Sequence, residues 1–272
     1  MHKSWLVLVL CFVVTNILSA QFLERFQFFP ETTYISTFAA DAHAHRMLVE
    51  NIILTKNERA SMGGIFPAFN IDMFGTTAQA NLGASVHFEL HPMGQAHVVS
   101  NDYYIDYLLL DVPIEKNYFV RFVTGHTSHH LSDNWYERLK LTSAIRYSRD
   151  YVKLHIVRET DVNDQFYLGA DYAYIFTVNG LRTFKRWTLQ TGGKISLAEL
   201  YPQFTLYTAA DCKVRQEADF AATNTLQIGI ATPMQKGRIL RVSYQFRTGL
   251  DERGQFYLQH RDIHTFGISL EM

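Results

Sequence analysis

Leu240-Arg241-Val242-Ser243-Tyr244-Gln245-Phe246-Arg247 alternates without exception between apolar and polar residues. Successive side chains of a strand point to opposite faces, so this stretch has one greasy surface and one wet surface. The same two-residue period runs through Ala78, Ala80, Leu82, Ala84, Val86, Phe88 and Leu90, set against Gln79, Asn81, Gly83, Ser85, His87 and Glu89. It returns in Val152, Leu154 and Ile156, set against Lys153 and His155. A sheet closed on itself, with lipid outside and a polar interior, satisfies both surfaces and leaves no backbone edge open. The expected fold class is therefore all-β, a closed antiparallel transmembrane β-barrel.

Working outward from that stretch, candidate strands fall at 47–56, 62–72, 77–90, 95–110, 117–128, 135–148, 151–158, 165–178, 183–190, 202–209, 223–232, 238–248 and 256–271. Allowing for mergers, this gives roughly twelve strands. Ser148-Arg149-Asp150 reads as a tight connection and 210–222 as a long polar loop. The last strand sets His264, Phe266, Ile268, Leu270 and Met272 against Thr265, Gly267, Ser269 and Glu271. A terminal strand of that kind suits the closure of an outer-membrane barrel, although such strands usually end in Phe.

Lys3, the apolar run Trp5 to Val14 and the small residues Ser19-Ala20 form a signal-peptide pattern over 1–20, with cleavage expected after Ala20. The apolar run is too short to cross a bilayer, which takes about 20 residues. Residues 21–46 carry Pro30 and no clean period, and read as an irregular periplasmic or mouth segment. Residues 47–272 are the barrel. Basic and acidic residues number 25 and 26, so no nucleic-acid partner is expected. The 20 Phe and 15 Tyr suit two interfacial girdles, with Tyr103, Tyr107, Trp135, Tyr136 and Trp187 as anchors. Cys11 leaves with the leader, so Cys212 has no intramolecular disulfide partner.

The stretch that carries chemistry lies between Tyr118 and Ile145. Arg121 marks the lumen on the first strand, which sends Tyr118, Val120, Phe122, Thr124, His126 and Ser128 to the lipid face. Arg138, Lys140 and Arg146 are taken to mark the lumen on the second, which sends Glu137 outward. A connection centred near Leu131 and Ser132 opposes His126 with Glu137 and Ser128 with Trp135, at about 5 Å. The carboxylate would orient the imidazole, the imidazole would take the Ser128 proton, and the alkoxide would attack an ester. The bland reading is polar decoration of the headgroup zone, where such side chains cost about 0–1 kcal/mol.

A metal site at His129, His130 and Asp133 is the weaker alternative, since adjacent strand residues point apart. Asp133 with Asn134 is too little for calcium. No metal and no cofactor are expected. Arg121, Arg138, Lys140, Arg146, Lys153, His155, Asp171, Arg241 and Arg247 are assigned to the lumen, where filling the interior is favoured over a permeation path.

Gly125-His126-Thr127-Ser128-His129-His130-Leu131-Ser132-Asp133 resembles the His-x-Ser-Ser-His-Leu-Gly-Asp signature of the bacterial family known as domain of unknown function 1207. Gly254-Gln255-Phe256-Tyr257, followed by Phe266-Gly267-Ile268, resembles its C-terminal pattern, and Phe29-Pro30 with Ala40-Asp41 its N-terminal part. The resemblance implies an outer-membrane protein of unassigned biochemistry. The hairpin is also similar in layout to outer-membrane phospholipase A and lipid A 3-O-deacylase, which carry His-x-Ser on one strand and Asn or Glu on the next. That maps onto His126 and Ser128, with Glu137 third by position. This chain departs from them in having His129 after the serine and a shorter spacing to the acid.

The expectation is thus an outer-membrane barrel that hydrolyses acyl esters of envelope lipids, with a non-catalytic barrel, either narrow channel or envelope component, as the alternative. Outer-membrane lipids and, during biogenesis, the barrel-assembly machinery are the expected partners, with homodimerisation left open. A soluble secreted β-sandwich is the third reading, separable by extraction without detergent.

Overall fold

The computed structural model describes residues 26–272 apart from 74, 94, 141–145 and 161–163, so the expected leader lies outside the described residues. Twelve strands close into an antiparallel barrel. They are β2 (Met47–Ile52), β3 (Glu58–Met73), β4 (Thr76–Met93), β5 (Gln95–Glu115), β6 (Tyr118–Leu131), β7 (Tyr147–Glu159), β8 (Gln165–Val178), β10 (Trp187–Tyr201), β11 (Phe204–Arg215), β12 (Ala221–Pro233), β13 (Ile239–Gly249) and β14 (Ile263–Glu271). Closure runs through β2, which pairs with β14 on one side and β3 on the other. Two short strands, β1 (Phe26–Phe28) and β9 (Leu181–Arg182), lie off this circuit, on β3 and β8 respectively. Asn179-Gly180, both at positive φ, forms the tight turn between β8 and β9.

The two faces are inverted relative to a water-soluble protein. Thr225, Gln227, Arg241 and Gln245 are buried in the lumen, while Leu226, Ile228, Val242 and Tyr244 of the same strands are exposed outside. Connections at one end are short, for example 116–117 and 202–203, whereas 132–146, 179–186 and 250–262 at the other are long. Both ends of the described chain lie at the short-turn side, which in outer-membrane barrels faces the periplasm. No helix of the described residues is long and apolar enough to cross a membrane.

Luminal charges meet partners across the interior. Arg241 reaches Glu271 at 2.7 Å, Arg121 reaches Asp111 at 2.7 Å and Lys213 reaches Asp41 at 2.6 Å. Two chain segments occupy much of the remaining space. Residues 34–46 thread the lumen rather than sitting at its mouth, with Ile35, Phe38, Ala39, Ala40, Ala42 and Ala44 buried. Phe38 stacks on Tyr167 with ring centroids 3.8 Å apart. Irregular backbone can lie inside a protein only if its polar groups find partners. Here the Tyr34 N–H donates to Gln79 Oε1 and the Ser36 N–H to Glu159 Oε1, and the Ser36 carbonyl accepts from Gln165. From the opposite end the β13–β14 connection folds inward. Gly254, Gln255 and Phe256 are buried, and Phe256 joins Val99 and Leu131.

Several strand expectations need correction. The strand expected over 135–148 is not formed at its start, where Asp133–Leu139 makes helix α1, while 141–145 lie outside the described residues and 147–148 open β7. Ser132 caps it by accepting from the Trp135 N–H, Asp133 suits its first turn, and Lys140 ends it in the left-handed region. Ser148-Arg149-Asp150 belongs to β7 and is no turn. β11 continues to Arg215, so Cys212 sits in a strand and the connection after it spans only 216–220. The final strand starts at Ile263 because 251–256 turns into the lumen and 257–262 leads back to the wall.

Candidate active site on the outer wall

β6 presents Phe122, Thr124, His126 and Ser128 to the outside, while Arg121, Val123, Thr127 and His129 are buried facing the lumen. β7 runs antiparallel to it, pairing Phe122 with Leu154, Thr124 with Val152, His126 with Asp150 and Ser128 with Ser148. Going toward the long-loop end, the outer face therefore changes from apolar pairs to polar ones within one step of the ladder. His126 and Asp150 stand at that boundary, their side chains 29% and 25% exposed.

The His126 imidazole meets the Asp150 carboxylate at 2.6 Å, Nδ1 to Oδ1. With the carboxylate as acceptor, Nδ1 carries the proton and the lone pair of Nε2 is left to act as a base. Ser128 lies two residues along on the same face, about 7 Å by strand rise. No hydrogen bond joins Ser128 to His126 among the described residues, and catalytic contacts of this kind often tighten only when substrate binds. On the other strand neighbour, β5, Ile105 lies opposite His126 and Tyr103 opposite Ser128, so the group is flanked by large side chains.

Glu137, expected as the third member, is placed elsewhere. It is an exposed residue of α1, beyond the end of β6, and the residue opposite His126 is Asp150. Arg138 and Lys140 leave the lumen with the same helix, and Arg146 is exposed just before β7. Arg121, His155, Arg241 and Arg247 are luminal as expected, and Lys153 and Asp171 line an interior cavity of about 120 Å³. Sequence reading missed Asp150 because Ser-Arg-Asp has the composition of a turn. The alternation Tyr147, Arg149, Tyr151 against Ser148, Asp150, Val152 was the signal that could have found it.

His129 and His130 diverge across the wall. His129 is buried, its Nδ1 accepting from the Gly254 N–H at 2.9 Å and its Nε2 lying 3.0 Å from Thr127 Oγ1. His130 is exposed on the outside, edge-on to Tyr103. The metal reading thus loses its two imidazoles as a convergent pair, and the described residues hold no group of three or more metal-ligating side chains.

The family model "Protein of unknown function (DUF1207)" matches residues 14–272. The chain belongs to the DUF1207 family. Among solved structures, outer membrane phospholipase A from Escherichia coli is similar over 84% of this chain and 92% of its own, with 12% identity and a TM-score of 0.50. The Salmonella typhi outer membrane phospholipase dimer with bound calcium is similar over 84% and 90%, with 13% identity and a TM-score of 0.48. At such identities the likeness is one of fold: this DUF1207 chain is an outer-membrane-type β-barrel. No curated protein matches it in sequence. Fold does not assign chemistry, which must be argued from the residues.

Proposed function

We propose that this DUF1207 protein is an outer-membrane hydrolase that cleaves acyl esters of envelope lipids, with Ser128 as nucleophile, His126 as general base and Asp150 as the group that orients it. The observation that carries the proposal is the His126–Asp150 contact at 2.6 Å on the outer face, two residues along the same β6–β7 ladder from Ser128, which lies opposite Ser148. Polar side chains aimed at lipid are disfavoured in the hydrocarbon belt and are retained at its edge where they have work to do.

In the reaction, Asp150 holds the imidazole so that Nε2 faces Ser128. Nε2 takes the Ser128 proton as Oγ bonds to the ester carbonyl, and the imidazolium is stabilised by the carboxylate behind it. The imidazolium then protonates the departing alcohol, leaving an acyl-serine that water hydrolyses by the same base. The Ser148 hydroxyl, opposite Ser128 on the outer face, is the nearest side-chain candidate to donate to the developing oxyanion.

Placement in the outer membrane is part of the proposal. It is supported by the apolar exterior and the likeness in fold, and it makes lipids and the barrel-assembly machinery the natural partners. A conducting channel is the less favoured role, because residues 34–46 and the inward-turned β13–β14 connection occupy the lumen. The test is fatty-acid release from phospholipid and from lipid A by detergent-refolded protein. Release abolished in Ser128→Ala supports the reading, and equal release by wild type and Ser128→Ala refutes it.

A further inference from the structure

The barrel wall is not uniform around its circumference. β2 has only six residues and covers β3 from Glu58 to Ser61, and β1 covers it again from Phe69 to Ile71. Between those two stretches no strand among the described residues pairs with the edge of β3, where the Phe29 N–H donates to the Ala68 carbonyl at 2.9 Å. The chain uses this seam to turn from outside to inside. Phe29 packs tilted against the outward Phe66, whereas Ile35 is buried in the lumen. Beside the seam lies an outer groove of about 1000 Å³. Its floor is made of small residues, Gly64 and Ala84, paired across β3 and β4, and it runs to Ile105 on β5. Phe66, Leu82 and Tyr107 wall it, and Met272 packs over Gly64.

At its periplasmic end the groove opens between Lys236 and Arg238 of the β12–β13 connection, with Glu31 at the same mouth. Both cations are exposed, and neither forms an ion pair among the described residues. Along the apolar walls Phe66, Leu82, Ile105 and Tyr107 hydrocarbon is favoured over water. A pair of cations against a single carboxylate at the interfacial end adds a preference for an anionic headgroup.

We propose that this groove binds one anionic phospholipid of the periplasmic leaflet, its phosphate between Lys236 and Arg238 and an acyl chain passing Met272 and lying along Ala84 toward Ile105. The site ends one strand short of His126, and it stands on the membrane placement alone, not on the hydrolase assignment. Bound there, the lipid seals the open edge of β3 where the plug segment passes through the wall.

The experiment is native mass spectrometry of purified full-length protein offered equal amounts of phosphatidylglycerol and phosphatidylcholine with identical acyl chains. Wild type is expected to retain one lipid per barrel, with phosphatidylglycerol favoured roughly fivefold or more. The double variant Lys236→Asn, Arg238→Gln should lose that preference. Asn suits position 236 because the residue there has a positive φ of 62°. Ala84→Phe fills the trough and should lower retention of both lipids, while Leu189→Phe on β10, across the barrel, should not. Equal retention of the two lipids by wild type, or a preference that survives the double variant, overturns the proposal. Loss of hydrolysis in Ser128→Ala bears only on the hydrolase and leaves this result unmoved.

Discussion

Replacing Asp150 by Ala should slow ester hydrolysis by about 30-fold while leaving the barrel folded. During proton transfer His126 becomes an imidazolium facing the Asp150 carboxylate. Two unit charges about 4 Å apart attract by about 4 kcal/mol at an effective dielectric of 20. Both side chains are about a quarter exposed, at 29% and 25%, and screening removes roughly half of that attraction. The remaining 2 kcal/mol or so corresponds to about 30-fold in rate. Asp150→Asn removes the same charge, so its loss should be at least as large as that of Asp150→Ala. Glu137→Gln, on the exposed face of α1, should leave the rate unchanged. The assay is fatty-acid release from mixed micelles, with folding checked by heat-modifiable gel mobility. Unchanged activity in Asp150→Ala, or a loss in Glu137→Gln as large, would refute the assignment of the orienting carboxylate.

Ser128→Ala should lower kcat by roughly 10³-fold or more without changing the thermal midpoint, as steady-state kinetics and a melting curve will show. Arg241→Ala leaves Glu271 buried without its partner and should cost about 3–5 kcal/mol, read as a lower urea midpoint on refolding into detergent. His43, on the plug segment, is held down to about 4 by burial and by the adjacent Lys213, against the opposing pull of Glu252. Its contacts fit the neutral ring, with Nε2 2.9 Å from Glu252 and Nδ1 3.4 Å from the Lys213 ammonium. The folded ring resists a proton that the unfolded one accepts near 6.5, so stability is full above that value and falls as pH drops from about 6.5 toward 4. Hydrogen exchange of residues 36–46 should therefore speed up over that window, and His43→Gln should flatten the dependence.

The barrel was legible because its cause is local. The alternation in Leu240–Arg247 and in Ala78–Leu90 needs no tertiary partner to be read, and it places Arg241 and Gln79 inside as the structure does. The luminal position of residues 34–46 was not legible, since Ile35 and Phe38 obey no period and are fixed by Tyr167 and Arg121 from distant strands. Half of the candidate site followed from one fact, that Arg121 points inward, which sends His126 and Ser128 outward. The acid did not follow. It depends on which strand pairs with β6, and the capped helix after Ser132 moves that pairing from Glu137 to Asp150. A two-residue period cannot report a helix inserted between two strands.

The most direct test of the central claim is covalent: protein in detergent micelles is treated with a long-chain alkyl sulfonyl fluoride and the modified residue is located by peptide mass spectrometry. An activated serine displaces fluoride to form a sulfonate ester. One adduct is expected, on Ser128, greatly slowed in His126→Ala. No adduct under conditions where the reagent inserts into the micelle, or an adduct on another residue with Ser128 untouched, contradicts it.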